Sequence, residues 1–149
     1  MKPMDVVIHC SASAFGNAIQ IDRWHRERGF TEIGYHYVIL NGHITPKKFN
    51  KLFDGAIESG RPIDDDADFE LDEKGAHTFG YNMAVGICLI GNSGSFSSNQ
   101  KIALEDLIEE LKKHFLQGLK IMQHSDVDPK NKPWCAGLDP VYMLDLNEI

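Results

Sequence analysis

The sequence predicts a single-domain α/β protein with a mixed β-sheet flanked by helices. Strand-like and helix-like patterns alternate along the chain, which is typical of α/β folds. One strand pattern is an almost unbroken apolar run, as expected of a central strand that is buried on both faces. With 149 residues, the chain is long enough to bury a hydrophobic core without disulfides.

The N-terminal part predicts a strand, a helix and a second strand. Residues 6–10 indicate a short strand that ends just before a run of small residues. Residues 19–28 carry apolar side chains at helical spacing, and Gly29 can end this amphipathic helix in a left-handed conformation. Residues 34–42 are rich in aromatic and β-branched side chains, so they predict a strand, with Asn41-Gly42 as its turn.

The middle of the chain has the weakest pattern. Residues 47–57 are compatible with a short helix, and residues 61–75 are acidic and rich in turn formers, which indicates a surface excursion. The acidic run 64–68 is interpreted as a solvated face, because it lacks the ligand spacing of an EF-hand calcium loop.

The strongest strand and the longest helix are predicted in the C-terminal half. Residues 83–91 form the apolar run of the central strand. Ser97 or Ser98 then caps a long helix that we expect to continue through Gln117, with Gly118 as its stop. Its apolar positions recur at helical spacing: Ile102, Leu107, Ile108, Leu111 and Phe115.

Two short elements are predicted after this helix. Residues 119–122 indicate a strand that delivers His124 into a loop. Asp139-Pro140 begins a final short helix over residues 141–146, since proline is favoured at the first helical position.

Charge and cysteine content limit the classes of function. The net charge of −7 disfavours nucleic acid as a partner, because phosphate binding needs clustered Lys and Arg. The three cysteines, Cys10, Cys88 and Cys135, are too few for a disulfide framework, so free thiols or a metal ligand are expected. No apolar run reaches the length of a membrane span, and no secretory signal is visible. We therefore expect synthesis in the cytoplasm and no membrane partner. A monomer is the default expectation for the oligomeric state.

His9, His124 and Cys135 are the candidate metal ligands. Two imidazoles and a thiolate make a complete ligand set for a Zn²⁺ ion that keeps one position open for water, as catalytic zinc sites do. All three residues lie at predicted strand ends or in loops, where α/β folds build their sites. From the residues alone an alternative stays open. Each is also compatible with a structural role, in a protein where the three side chains never meet.

Several segments that occur in a fixed order carry a family resemblance: IHCSAS, GYHYVI, AHTFGYNMAVGICLIG and HSDVDPKNKPWC. Together they resemble the zinc-dependent N-acetylmuramoyl-L-alanine amidase family, which includes phage amidase lysozymes and peptidoglycan recognition proteins. The resemblance implies one amidase-like domain over residues 1–149, with residues around 45–73 as a surface insertion. It also implies that His9, His124 and Cys135 hold a Zn²⁺ cofactor.

The resemblance further implies roles for side chains beside the metal. Tyr35 and Lys132 match a catalytic tyrosine and a catalytic lysine of the family, and His77 matches a histidine near the substrate cleft. Lys132 lies three residues before the third ligand, whereas the family usually leaves one residue between them, so Lys130 is an alternative. Some members carry a glutamate where this chain has Cys88, so the mechanism is expected to depend on Tyr35 and a lysine.

The expected function is hydrolysis of the amide bond between N-acetylmuramic acid and L-alanine in peptidoglycan. In an endolysin-like role, the protein would act on the cell wall, in the periplasm, after its release from the cytoplasm. The expected partner is a peptidoglycan or muropeptide substrate. The alternatives are a muropeptide-recycling amidase, a non-catalytic module that binds muropeptides, and a zinc hydrolase with a different substrate.

The remaining histidines and Cys10 receive structural interpretations. His36 follows Tyr35 on a strand and therefore points to the opposite face, as a core residue or as a residue that supports a metal ligand from outside the ligand set. Cys10 is expected to be a buried thiol that points away from the metal. Surface positions are expected for three further histidines: His25, His43 and His114.

Overall fold

Five strands form one mixed β-sheet in the computed structural model, which describes residues 4–115 and 118–149. In chain order they are β1 (Met4–Cys10), β2 (Tyr37–Thr45), β3 (Lys48–Ser59), β4 (Val85–Leu89) and β5 (Leu119–Gln123). Their order across the sheet is β3-β2-β4-β1-β5. β1 is parallel to β4 and β5, β2 is parallel to β4, and β3 is antiparallel to β2. The predicted fold class is confirmed.

Helices cover both faces of the sheet. They are α1 (Ala18–Glu27), α2 (Ser98–His114), α3 (His124–Val127) and α4 (Pro140–Asn147), and Leu71–Glu73 forms a 3-10 turn. Leu104 and Ile108 of α2 and Leu146 of α4 pack in the larger apolar core, on one face. Ile21 of α1 packs in a smaller core with Cys88, on the other face. Among the described residues, no helix has both the length and the apolar content needed to cross a bilayer.

The central position of β4 and β1 explains their composition. Every residue of β4 is buried, which confirms the predicted central strand. β4 has strands on both sides and apolar layers on both faces, so polar side chains have no place along it. β1 lies beside β4, and its carboxyl end places His9 at the end of the sheet where the parallel strands terminate.

Local sequence signals set the ends of the longer helices. The Asn17 side chain accepts a hydrogen bond from the Gln20 N–H at the start of α1. Gly29 follows the end of α1 with φ of +96°, which is the predicted left-handed conformation. Ser97 caps α2, and Ser97 and Gln100 exchange reciprocal hydrogen bonds. These signals made both helices predictable.

The C-terminal half differs from the prediction in a few details. α2 ends at His114, and the expected end at Gln117 lies outside the described residues. Ile102 is 56% exposed instead of buried, because the buried stripe of α2 follows Leu104, Leu107, Ile108 and Leu111 on another face of the helix. The segment after β5 is the short helix α3 rather than a loop. The predicted final helix is confirmed as α4.

The segment predicted as a short helix is the edge strand β3. It pairs with β2 from Thr45↔Lys48 near the turn to Tyr37↔Ser59 at the far end. The sequence does not predict this strand, because most of its side chains are exposed. Apolar and polar residues therefore do not alternate between a buried face and an exposed face. Gly55 has φ of +91°, which an α-helix does not accommodate.

Asn41-Gly42 is not the turn after β2. This pair lies inside β2, where the pairing with β3 is irregular, and the chain turns at residues 46–47. Gly42 has φ of +91°, and a side chain there would collide with the ring of Phe49. The positive φ that makes Asn-Gly a turn signal serves a strand irregularity here.

The acidic segment after β3 is a surface excursion, as predicted. Residues 61–72 are exposed or half-buried. Glu73 anchors the end of the excursion, since it is 3% exposed and accepts hydrogen bonds from the N–H groups of Asp64 and Glu70.

Candidate metal centre

Three side chains from distant parts of the chain meet at the carboxyl end of β1. His9 lies at that end, His124 directly follows β5, and Cys135 lies in the loop after α3. Since β1 and β5 are parallel neighbours, their carboxyl ends open at the same edge of the sheet. One ligand atom from each residue lies within 4.8 Å of the others. The structure thus brings the predicted ligand residues together.

The donor atoms fit a zinc ion. His9 Nδ1 and His124 Nδ1 are 3.1 Å apart. Two nitrogens bound to a tetrahedral zinc at about 2.0–2.1 Å lie roughly 3.3 Å apart. His9 is 1% exposed and Cys135 is 3% exposed, so the set is shielded from bulk water. Two nitrogens and one sulfur leave a tetrahedral ion one further position, as in catalytic zinc sites.

Burial keeps the histidine ligands neutral. Burial, reinforced by His77 and His124, holds the pKa of His9 well below its usual 6.5. Burial, followed by the nearby Lys132 ammonium, lowers the pKa of His124. Because a metal binds only unprotonated imidazole, both side chains are in the ligand form at neutral pH.

A cavity of about 300 Å³ opens beside these ligands. The predicted site residues Tyr35, His77 and Lys132 all line this cavity. The lining also includes residues that were not predicted as part of the site, among them His25, Arg28, Phe30 and Trp134.

Tyr35 and Lys132 provide two kinds of donor near the ligands. The ring of Tyr35 lies 5.0 Å from that of His9, centroid to centroid. Burial raises the pKa of the Tyr35 phenol well above 10, so it keeps its proton. Lys132 is half-buried and places Nζ 5.2 Å from the centroid of the Trp134 ring, which is a cation–π contact. Lys130 is exposed on the same loop, which favours Lys132 as the residue near the metal.

His77 contacts the ring nitrogen of His9 that faces away from His124. His77 Nδ1 is 3.0 Å from His9 Nε2, and His77 Nε2 is 2.9 Å from the carbonyl oxygen of Ala84. Burial lowers the pKa of His77 to about 4, so its ring is neutral. Substrate contact by His77 stays a prediction.

His25 is buried, and its predicted surface position is wrong. The side chain is 7% exposed, and its Nδ1 accepts a hydrogen bond of 2.9 Å from the Gly34 N–H. Ile21, four residues earlier on α1, is also buried. That four-residue spacing is the signal that could have placed His25 on the inner face of the helix.

The structure also tests the interpretations of His36 and Cys10. His36 is a core residue, as predicted: it is 1% exposed, and its Nδ1 accepts a hydrogen bond from the Gly86 N–H. Cys10 is buried, as predicted, and its backbone N–H donates a hydrogen bond of 3.3 Å to Cys135 Sγ. Both cysteines belong to the same apolar core. His43 and His114 are half-buried.

Comparison with solved structures identifies the class of protein. N-acetylmuramoyl-L-alanine amidase LysC from Clostridium intestinale superimposes with a TM-score of 0.71 and 25% sequence identity. The match covers 98% of this chain and 83% of that one. No family model matches the chain. The fold and the site together define an amidase-type protein.

Sequence relatives narrow the class to a family. The endolysin of Klebsiella phage KP32 is 34% identical over 155 residues, which cover 97% of this chain and 87% of the relative. The endolysin of Enterobacteria phage K11 is 33% identical over 137 residues, which cover 85% of this chain and 77% of the relative. This chain belongs to the family of phage endolysins of the N-acetylmuramoyl-L-alanine amidase type, which confirms the predicted family.

Proposed function

We propose that this protein is a zinc-dependent amidase that hydrolyses the bond between N-acetylmuramic acid and L-alanine in peptidoglycan. The observation that carries the proposal is the convergence of His9, His124 and Cys135 beside one cavity. The relatives support the substrate, since they are endolysins and the structural neighbour is an N-acetylmuramoyl-L-alanine amidase. In this role the protein acts on the cell wall, in the periplasm, after release from the cytoplasm.

His9, His124 and Cys135 would hold the zinc ion through two nitrogens and a thiolate. When bound, the ion supplies Lewis acidity, which lowers the pKa of bound water towards about 7 and polarises a carbonyl group. The ion and its ligands would together carry about one net positive charge, because the thiolate is the only charged ligand and offsets one of the ion's two charges. Their burial strengthens every electrostatic interaction with a reacting group.

Lys132 supplies a positive charge near the reacting carbonyl. Attack on an amide builds negative charge on the carbonyl oxygen, and a fixed cation stabilises that charge. Lys132 lines the cavity. Burial is the main cause of the lowered pKa of His124 and of His9, and the charge of Lys132 is the second cause for His124 and a smaller one, after His77 and His124, for His9. The ammonium therefore lies within electrostatic reach of both histidines.

Tyr35 supplies a neutral hydrogen-bond donor. Its phenol stays protonated because burial raises its pKa. From the cavity wall it can donate a hydrogen bond to the substrate carbonyl or orient the attacking water. Together, Lys132 and Tyr35 give the site a charged and an uncharged donor for the oxygen that becomes negative.

The test is digestion of purified peptidoglycan with the zinc-loaded protein, with and without a chelator, followed by analysis of the new chain ends. We expect new free amino groups of L-alanine without new reducing sugars, and no release after chelation. New reducing ends would instead indicate a glycosidase. Retained binding to peptidoglycan without any product would indicate a recognition module, and either result would contradict the proposal.

A further inference from the structure

We propose that His77 is a positioning residue, which holds His9 in the tautomer and orientation that aim its Nδ1 at the metal. The inference rests on the proposed metal site and deepens it. This role differs from the predicted contact of His77 with substrate. The hydrogen bonds of the His9 and His77 rings support it.

The carbonyl group of Ala84 sets the direction of the hydrogen bonds that link it to His77 and His77 to His9. The Ala84 oxygen only accepts, so His77 Nε2, at 2.9 Å, must carry the hydrogen. In the neutral ring, His77 Nδ1 is then an acceptor. His9 Nε2 lies 3.0 Å from that acceptor and must therefore donate. A neutral His9 with its hydrogen on Nε2 has a free lone pair on Nδ1, the atom that faces His124 at 3.1 Å.

Thr78 completes this contact. Its Oγ1 lies 3.1 Å from His9 Nε2 and 2.9 Å from His77 Nδ1. The hydroxyl can accept from His9 and donate to His77 at the same time, which is compatible with the same tautomers. Thr78 is 4% exposed, so water does not compete freely for these bonds.

Two glycines provide the space that the His77 ring occupies. A Cβ built on Gly86, in β4, would lie 2.5–2.8 Å from atoms of that ring. A Cβ on Gly75 would also collide with the ring. The ring is thus packed against backbone on both glycines. Because both of its nitrogens are engaged with protein atoms, His77 has no ring nitrogen left for a substrate.

The experiment is a zinc competition titration of the full-length protein against a chromophoric chelator. Outer hydrogen-bond partners of metal ligands typically contribute about 10–100-fold to affinity. We expect His77→Ala to raise the zinc dissociation constant within that range. His77→Asn, which places an amide oxygen near the former Nδ1 position, should bind zinc more tightly than His77→Ala. Circular dichroism checks that each variant is folded.

Gly86→Ala tests the same contact without removing a polar atom. The added methyl displaces the His77 ring, so zinc affinity should fall although every ligand remains. Thr78→Val keeps the side-chain shape and removes only the hydroxyl. We expect it to lose less zinc affinity than His77→Ala.

The outcomes separate this inference from the proposed function. If the wild-type protein binds no zinc, the metal site itself fails, and the positioning role fails with it. If the wild-type protein binds zinc tightly and His77→Ala binds it equally well, the positioning role alone is overturned. A raised KM for muropeptide with unchanged zinc affinity would assign His77 to the substrate instead.

Discussion

At the scale of single residues, Lys132 and the metal ligands influence each other through charge. The Lys132 ammonium contributes, after burial, to the lowered pKa values of His9 and His124. The same repulsion acts on a cation held by these side chains. Under the proposed function, the Lys132 ammonium would offset this opposition to a bound cation by stabilising the negative charge that develops on the substrate carbonyl.

Replacing Lys132 should therefore separate turnover from metal binding. We expect Lys132→Ala to keep zinc affinity at or above the wild-type level, because a repulsive charge is lost. Turnover should fall by about 10²–10³-fold, the effect typical of removing one group that stabilises the oxyanion. Zinc titration and release of L-alanine amino ends measure the two effects. Lys130→Ala, on the exposed part of the same loop, is the matched control, and the assignment is wrong if that variant loses the activity.

The sequence predicted which side chains meet at the candidate site better than it predicted their surroundings. His9, His124 and Cys135 lie in recognisable motifs, and the structure brings these three side chains together. The partners of His9 could not be predicted, because the contact with His77 depends on the path of the chain after the acidic excursion. Single-sequence patterns describe local structure and contain no information about such distant contacts.

At the scale of elements, His25 connects α1 to the segment that leads into β2. Its Nδ1 accepts the Gly34 N–H, and burial, with a contribution from Arg28, lowers its pKa to about 4. In the unfolded chain its pKa is near 6.5. Between these values the unfolded state binds more protons, so the free energy of unfolding rises with pH. This contribution is complete above about pH 6.5 and is lost as the pH falls towards 4.

His25→Asn should reduce the acid sensitivity of the fold. The amide oxygen can still accept the Gly34 N–H, but the side chain no longer titrates. Between pH 7 and 5.5 the wild-type protein should lose about 1 kcal/mol more unfolding free energy than the variant. Urea denaturation in the presence of a chelator measures this difference without a contribution from zinc. Parallel pH profiles for the two proteins would contradict this prediction, because they would show that folding does not lower the pKa of His25.

Elements whose own sequence carries a clear pattern could be predicted, whereas the hairpin of β2 and β3 could not. The unbroken apolar run of β4 predicts a buried strand, and the Ser97 cap and apolar stripe of α2 predict a helix. β3 has neither, because an exposed edge strand gains its stability from the ladder with β2 and not from its own side chains. The Asn41-Gly42 pair then suggested a turn at a point where β2 continues.

At the scale of the whole molecule, the candidate metal site joins segments from the N-terminal and C-terminal parts of the fold. His9 belongs to β1, near the N-terminus, whereas His124 and Cys135 belong to the segment after β5. The strand ladder between β1 and β5 already aligns these segments, so an ion bound there would add to an existing contact. Any ligand that binds only the folded state stabilises that state by mass action.

Zinc should therefore raise the thermal stability of the wild-type protein. At a free zinc concentration of about 100 times Kd, zinc binding should raise the free energy of unfolding by about 2.7 kcal/mol. This corresponds to an increase of roughly 5–10 °C in Tm for a domain of this size. Cys135→Ser should lose most of this shift because the thiolate ligand is absent. Cys88→Ala removes a buried thiol outside the ligand set, so its Tm should be lower overall but should still rise with zinc. Scanning calorimetry with chelator and with excess zinc compares the three proteins. Equal Tm values for the wild-type protein under both conditions would show that the convergence of these residues does not create a metal site.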